Sequence, residues 1–322
     1  MKQVQGQYRY QNQNQNQNQN QDRSRLLLSL ALPSLFFLPS IISAEFGPAA
    51  NAALPPSARL PFKIVIDPGH GGADEGAVYR EGRRRITEKE ITLALAKQVT
   101  QQLAAKGYRV QLTRHEDREV SLADRTAFAN QLGADVFISI HMNSSHKHTY
   151  SNAQSRTVSD AQGIETFILN HTTNETSKRL ARFENSVVTA EHRKNPTQSD
   201  IALILKDLRL DATLKESKLL ACHVQSSLVK ATSPSPQTLA RRNRGVKQAL
   251  FYVLLGADMP AILVEAGFLN HPRDRALVLS HNGRLKMSQA IVRAIENFRT
   301  LKLSKVKYPP GRQIAARPCK VL

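Results

Sequence analysis

The chain contains no tryptophan and only two cysteines. Aromatic residues make up 6% of its 322 residues, and no basic stretch is interleaved with Phe or Tyr, as it is on surfaces that stack nucleic-acid bases. The cysteines do not form a C-x-x-C pair, which excludes the usual cysteine zinc signature. Cys222 lies in a helical pattern and Cys319 in the C-terminal tail. We therefore predict two unpaired thiols, although an oxidising compartment would allow a disulfide between them.

Acidic residues are scarce relative to basic ones. Forty-five Lys and Arg against 26 Asp and Glu give a formal net charge of +19. This excess indicates a polyanionic partner such as nucleic acid, an anionic membrane face or an acidic cell-wall polymer. Because the aromatic residues of a base-stacking surface are missing, we expect no nucleic-acid partner. The length suits one large α/β domain or two small ones.

The N-terminal residues have the features of an export signal. Residues 1–25 contain a Gln/Asn repeat, which predicts a disordered leader. Residues 26–52 form the predicted signal sequence, in which an apolar run at 26–42 follows basic residues and precedes small ones, with cleavage after Ala44 or Ala52. A membrane anchor is the alternative, but the run is shorter than the roughly 20 residues of a spanning helix and contains two prolines. We expect export to the periplasm or cell envelope.

The rest of the chain has the pattern of an α/β domain. From residue 61 to 301, short β-rich runs alternate with helical patterns, which predicts a single domain with a mostly parallel twisted sheet flanked by helices. A polar stretch at 172–236 predicts a helical insertion, and residues 302–322 form a basic tail. The predicted strands are residues 63–67, 108–113, 136–141, 164–169 and 261–265. Two predicted helices begin with capping boxes at Thr87 and Ser121. Two more are predicted at residues 239–250 and 282–301.

Four polar residues fall at the expected edge of this sheet. His70 follows the first strand by three residues, His141 ends the run VFISI, and Glu265 ends the run AILV. Glu88 opens the helix that follows the first strand. Reacting groups of open α/β sheets collect beyond the carboxyl ends of the strands. Two imidazoles and two carboxylates at one edge therefore predict a metal site.

The chemistry of zinc explains why these residue types would occur together. A catalytic Zn²⁺ takes three protein ligands and keeps a position for water, whose pKa falls to about 7. We predict His70, Glu88 and His141 as the three ligands. Glu265 is then the base that takes a proton from the water and passes it to a leaving amine.

Two further polar residues are placed to support the site. Asp67 and Asn143 are close enough in sequence to orient the imidazoles of His70 and His141, respectively. Each site residue alone also has an ordinary structural reading, such as a first-turn carboxylate for Glu88. The glycines around His70 suggest a phosphate loop, but the lysine and Ser/Thr of a P-loop are absent. Three S-x-x-K matches lack an accompanying K-T-G, so we expect no serine-based activity.

Four segments between residues 63 and 298 resemble, in order, the zinc-dependent N-acetylmuramoyl-L-alanine amidases of the amidase 3 type. The segments are IDPGHGGADEGA, TEKEITLALA, SLADRTAFANQLGADVFISIHMN and MPAILVEAGFLNHPRD. The resemblance implies hydrolysis of the amide that joins N-acetylmuramic acid to the L-alanine of the peptidoglycan stem. It places His70, Glu88 and His141 on the family's zinc ligands. It also places Glu265 on the family's catalytic glutamate.

The chain departs from the family pattern at two places. Asn270-His271 stands where the family often has Ser-Asn, which puts any substrate-positioning role of that Asn in doubt. Four arginines within residues 80–85 precede Glu88, where the family usually has a polar linker. They form either a solvated charged loop or a contact with stem carboxylates or an anionic wall component.

The helical insertion suggests a means of regulation. In division-associated members of the family, an insertion at this point blocks the zinc until an activator protein displaces it, and residues 183–230 resemble that insertion loosely. We therefore hypothesise that Glu184 or Glu191 occupies the open zinc position in the resting enzyme. The predicted function is a peptidoglycan amidase that acts in cell-wall remodelling or cell separation. A wall-binding protein without activity and a zinc peptidase or deacetylase are the alternatives.

Overall fold

The structure, a computed structural model, describes residues 62–144, 161–187, 197–303 and 319, with backbone alone for residues 197–212. The predicted leader and signal sequence, Glu191, and the tail beyond residue 303 other than Cys319 lie outside the described residues. Within the described part of the chain, no helix is both long and apolar enough to cross a membrane.

A six-stranded sheet forms the centre of the fold. Its strands are β1 (Lys63–Pro68), β4 (Arg109–Leu112), β5 (Val136–Asn143), β6 (Ile164–Leu169), β7 (Asn243–Ala249) and β8 (Ala261–Phe268), while β2 (Val78–Glu81) and β3 (Arg84–Thr87) form a separate hairpin. The order is β4-β1-β5-β8-β6-β7, in which β6 pairs antiparallel with β8 and every other pairing is parallel. The ends of β1, β5 and β8 therefore share one edge with the beginnings of β6 and β7.

Helices cover both faces of this sheet. The described residues contain α1 (Glu88–Ala105), α2 (Leu122–Leu132), α3 (Glu175–Glu184), α4 (Thr197–Thr232), α5 (Pro236–Arg242), α6 (Pro272–Leu279) and α7 (His281–Leu303). Side chains alternate along each strand, so each face buries its own apolar cluster. Ile64, Ile138 and Val264 pack with α1, α4 and α7 on one face. Phe137 and Leu263 pack toward α2 and α3 on the other, which becomes polar near the shared edge.

The fold class predicted from the sequence is confirmed: a mostly parallel sheet is flanked by helices. Ser121 caps α2 as expected and accepts a hydrogen bond from the backbone of Asp124 at 3.1 Å. Thr87 precedes α1, but its side chain makes no capping bond. The first amide of the helix, that of Glu88, instead donates to the carbonyl of Ala77 at 2.9 Å. A backbone contact with the loop before β2 thus satisfies this amide in place of the predicted capping box.

The basic helix predicted at residues 239–250 is wrong. α5 ends at Arg242, and β7 follows as the edge strand of the sheet. Arg244 and Lys247 imitate one face of a helix by their spacing, yet both side chains reach Glu165 on the neighbouring strand. Pairing across the sheet therefore overrides the local pattern.

The prediction of two unpaired thiols is also wrong. Cys222 on α4 and Cys319 form a disulfide, with their Cα atoms 5.6 Å apart. The bond joins residues separated by 97 positions, so it ties part of the tail to the long helix of the predicted insertion. Local patterns gave no sign of this proximity because it depends on how distant segments pack.

Candidate metal centre

Four buried side chains converge at the polar edge of the sheet. His70, Glu88, His141 and Glu184 each offer one ligand atom, and these atoms all lie within 4.8 Å of one another. Nε2 of His70 is 3.1 Å from Oε1 of Glu88 and 3.2 Å from Oε2 of Glu184. Nδ1 of His141 is 3.2 Å and 2.9 Å from the same two oxygens. The structure thus brings the three predicted ligands together and adds Glu184 as a fourth member of this centre.

His70 lies on a loop with unusual backbone geometry. Its φ is 62°, and among the described residues it is the only non-glycine residue with positive φ. Such a conformation costs on the order of 1–3 kcal/mol, so the surroundings must enforce it. Two buried arginines do this by binding loop carbonyls. Arg114 donates to Pro68 and Gly69, and Arg125 donates to Pro68 and to His70 itself, at distances of 2.9–3.0 Å.

The carboxylate that orients His70 is Asp74, and the prediction that Asp67 does so is wrong. Nδ1 of His70 donates to Oδ2 of Asp74 at 2.7 Å, which leaves Nε2 for the metal centre. A tight turn after His70 brings Asp74 back toward the imidazole. Asp67 instead accepts hydrogen bonds from Arg125 at 2.7 Å and Ser139 at 2.6 Å. Asp67 therefore fixes Arg125, which in turn fixes the loop that carries His70.

Glu88, the first residue of α1, is fixed by two backbone amides. Its Oε2 accepts from the amide of Ala77 and its Oε1 from that of Met142, both at 2.7 Å. Burial alone would raise the pKa of this carboxyl, but the neighbouring imidazoles of His70 and His141 hold the pKa far below its usual range. Glu88 is therefore held as a rigid anion in this centre.

Two glycines make room for the imidazoles. A Cβ atom on Gly69 would lie 2.4 Å from Cε1 and Nε2 of His141. A Cβ atom on Gly76 would lie 2.5 Å from Cδ2 of His70 and from Oε2 of Glu88. Neither contact is sterically allowed, so both positions require glycine.

Asn143 supports a carboxylate that sequence reasoning missed. Its Nδ2 donates to Oε2 of Glu165 at 3.1 Å, so the predicted orientation of His141 by Asn143 is not seen. Glu165 is 1% exposed and also pairs with Arg244 and with Lys247. The register shift at the end of β5 directs Asn143 toward β6 rather than toward the imidazole. The available signal for Glu165 is that it is the single charged residue in the fully buried strand IETFIL.

Glu265 lies beside the metal centre on β8. It is directly opposite His141 in the register of β5 and β8 and is fully buried. Neither carboxylate oxygen has a hydrogen-bond partner among the described residues. Burial raises the pKa of Glu265 well above its ordinary value, and the negative charge of Glu184 adds to the rise. A carboxyl group with a raised pKa is suited to taking up and releasing a proton near neutral pH.

The donor atoms of the centre fit a metal ion. Burial would lower the pKa of both imidazoles, but the carboxylates of Glu88 and Glu184 raise it, to about 10 for His141 and well above the ordinary value for His70. The negative charges of Glu88 and Glu184 thus need compensation by positive charge. Protonated imidazoles or a bound divalent cation can provide it. Nε2 of His70, Nδ1 of His141 and Oε2 of Glu184 are buried and have no hydrogen-bond partner within the part of the chain that the structure describes. Imidazole nitrogens with carboxylate oxygens are the donor set that Zn²⁺ prefers.

Glu184 reaches this centre from the last turn of α3. Burial would raise the pKa of its carboxyl, but His141 and His70 lower it. The other candidate for a blocking carboxylate, Glu191, lies outside the described residues. Glu184 therefore has the position from which a carboxylate could occupy a coordination site.

Comparison with known proteins identifies the family. Residues 64–297 match the model of the Amidase_3 family, described as N-acetylmuramoyl-L-alanine amidase. The chain belongs to this family. The resemblance read from the four sequence segments and the predicted enzyme class are thereby confirmed.

Several members of the amidase family are similar to this chain along most of its length. AmiC of Neisseria meningitidis is 32% identical over 238 residues, which are 73% of this chain and 52% of that protein. AmiA of Escherichia coli is 32% identical over 239 residues, which are 73% of this chain and 75% of that protein. This chain therefore spans about half the length of the Neisseria relative. An amidase from Clostridium difficile 630 is similar in structure, with a TM-score of 0.52, 28% identity and coverage of 75% of this chain and 98% of that one.

Proposed function

We propose that this amidase hydrolyses the bond between N-acetylmuramic acid and the L-alanine of the peptidoglycan stem with zinc held by His70, Glu88 and His141. The observation that carries the proposal is the convergence of these three side chains beside the unpartnered carboxyl of Glu265. Bound Zn²⁺ would polarise the scissile carbonyl and lower the pKa of a water molecule.

The residues of the chain have separate tasks in this proposal. Glu265 takes a proton from the attacking water and gives it to the nitrogen of the departing L-alanine. Its carboxylate oxygens are free of competing hydrogen bonds, which supports this role. Asp74 fixes the tautomer of His70 so that Nε2 faces the centre. The fixed loop and backbone-bound Glu88 preorganise the donor atoms before substrate arrives.

Glu184 is the inhibitory residue of the resting enzyme in this proposal. Its Oε2 lies 2.9 Å from Nδ1 of His141, where it competes with water and substrate for the open position. An activator protein that moves α3 would open the site. Export to the periplasm or cell envelope, with signal cleavage after Ala44 or Ala52, would deliver the enzyme to its substrate, and the basic surface would retain it on an anionic wall. Its task there is cell-wall remodelling or cell separation.

The experiment that tests the function is digestion of purified sacculi by the full chain and by its Glu265→Gln variant, with and without a metal chelator. We expect the wild type to release L-alanine amino groups while leaving the glycan strands intact. We expect Glu265→Gln to lose at least about 100-fold in rate, because general acid–base catalysis contributes about 10²–10⁴-fold. The matched control is Glu90→Gln, an exposed glutamate on α1, which should retain the wild-type rate.

Each proposed role has its own contrary result. Free glucosamine among the products would indicate a deacetylase. Absence of any product, even from a Glu184→Ala variant that lacks the inhibitory carboxylate, would indicate a binding protein. Activity that persists in chelator and is unaffected by added zinc would contradict the metal mechanism. A Glu265→Gln variant as active as Glu90→Gln would contradict the assignment of the base.

A further inference from the structure

A row of polar residues crosses four adjacent strands at the catalytic edge. His141 on β5 is opposite Glu265 on β8, and Glu265 is opposite Glu165 on β6. Arg244 on the edge strand β7 then pairs with Glu165 through Nε. The row forms because β6 runs antiparallel to β8, which places the beginnings of β6 and β7 beside the ends of β5 and β8.

Arg244 is both anchored and accessible. Its Nε donates to Glu165, and its guanidinium carbon lies 5.1 Å from the ring centre of Phe268. Because the bond to Glu165 uses Nε, both terminal nitrogens remain without an acceptor among the described residues and can bind a ligand. The side chain is 32% exposed, whereas that of Lys247, which binds the same carboxylate, is 12% exposed. Lys247 thus completes the charge balance of Glu165, and Arg244 presents an oriented pair of donors to solvent.

An oriented guanidinium edge binds a carboxylate in a bidentate manner. One buried carboxylate, Glu165, faces two cations, so the pair with Lys247 leaves positive charge at Arg244. A negatively charged group of a ligand can compensate this charge. The arrangement therefore selects an anionic ligand group near Glu265.

The distance from Glu265 indicates which group this is. The strands that carry Glu265 and Arg244 are separated by two strand spacings, or roughly 9–10 Å, part of which the arginine side chain spans. In a peptidoglycan stem, the residue after L-alanine is a D-glutamyl unit joined onward through its side-chain carboxyl, so its α-carboxyl is free or amidated. That carbon lies roughly 6 Å from the nitrogen of the cleaved amide by standard bond lengths. Both distances suit one bound substrate.

We propose that Arg244 binds the free α-carboxylate of the second stem residue, and that Glu165 and Phe268 position its guanidinium for this purpose. The inference rests on the proposed amidase function and adds a specificity to it: the enzyme prefers stems whose D-glutamyl residue is not amidated. Arg244 is therefore a specificity-determining residue outside the metal centre.

The test uses two synthetic muramyl tripeptides that differ only in whether this α-carboxyl is free or amidated. We expect the wild type to have a kcat/KM at least about tenfold higher for the free acid, since hydrogen bonds to charged groups are worth at least that factor. In Arg244→Ala the ratio should fall to about one. Arg244→Lys should keep a reduced preference, because lysine provides charge without two fixed donors. Arg109→Ala, on the opposite edge strand β4, should keep the wild-type ratio.

The ratio separates substrate recognition from a structural role and from partial inhibition by Glu184. Both substrates meet the same enzyme, so a loss of folded or active molecules lowers both rates and leaves the ratio unchanged. A wild-type ratio near one overturns the proposal without the need for any variant. So does an Arg244→Ala variant that cleaves both tripeptides more slowly at the wild-type ratio. If the wild type cleaves neither tripeptide at the muramyl amide, the amidase function fails first and this inference fails with it.

Discussion

The metal centre is built from two regions with unequal restraint. His70 lies on the loop after β1, Glu88 begins α1 and His141 lies on β5 of the central sheet. Buried hydrogen bonds fix the loop of His70 and the side chain of Glu88. Glu184 reaches the same atoms from a ten-residue helix, where the preceding Phe183 is 47% exposed. The four donor atoms are therefore close together, but the elements that carry them are not equally restrained. Three belong to the core of the fold, and the fourth belongs to an element with little buried surface.

Removal of a buried arginine should have the largest effect on stability, because it acts on the region that carries His70, Glu88 and His141, here called the permanent region. In Arg125→Met, the carboxylate of Asp67 loses its charged partner, and breaking one side of a buried ion pair costs about 3–5 kcal/mol. Urea unfolding should show this loss in the free energy of unfolding at pH 7. Arg109→Met, at an exposed position of β4, should cost much less. Equal losses in the two variants would show that the arginine does not hold the loop.

The ion pair between Arg125 and Asp67 should also make the stability difference between wild type and Arg125→Met depend on pH. Burial would raise the pKa of Asp67, but Arg125 lowers it below its ordinary value in the folded protein. A lowered folded pKa contributes stability above the unfolded pKa of about 3.9, and this contribution is lost as the pH falls through the folded pKa. Without Arg125, burial dominates and the pKa of Asp67 rises. The difference in unfolding free energy between wild type and Arg125→Met should therefore be largest near pH 7. It should shrink as the pH falls from the raised pKa of Asp67 in the variant to the lowered pKa of Asp67 in the wild type.

Loss of the carboxylate behind His70 should have an intermediate effect. Asp74→Asn keeps the shape of the side chain but removes the charge that fixes the imidazole. We expect zinc affinity to fall about 10- to 100-fold, as is typical when a partner of a metal-ligating histidine is replaced. Competition with a chromophoric chelator measures this affinity. Asp124→Asn, at an exposed position of α2, should bind zinc as the wild type does. Equal zinc affinities in all three proteins would show that Asp74 does not support the metal centre.

Much of the permanent region could be predicted from the sequence. The continuous apolar runs of β1, β5 and β8 are typical of buried strands, and His70, His141 and Glu265 follow from where these runs end. What failed depends on contacts between distant segments. The strand pattern predicts the nearest acid, Asp67, as the partner of His70. The turn that brings Asp74 back to the imidazole has no periodic pattern in the sequence.

The edge of the sheet and the disulfide were unpredictable for the same reason. Arg244 and Lys247 have helical spacing, and only the buried carboxylate of Glu165 on the next strand explains why they lie on β7. Cys222 has a helical environment that says nothing about Cys319. Local patterns therefore locate single elements well, whereas the partners that hold a site together require the fold.

The smallest expected change, and the sharpest test of the comparison, concerns Glu184. Replacement by alanine should increase the rate of sacculus digestion severalfold, because the carboxylate no longer competes for the open position. The unfolding free energy should fall by less than the about 3–5 kcal/mol expected for Arg125→Met, because both imidazoles keep Glu88 as a charged partner. Glu175→Ala, at the exposed beginning of the same helix, controls for effects on helix stability. A slower Glu184→Ala enzyme would mean that Glu184 belongs to the working centre, and the two regions would then be equally permanent. A faster enzyme that loses less stability than Arg125→Met would show that the fold keeps three donors fixed and holds the fourth only in the resting state.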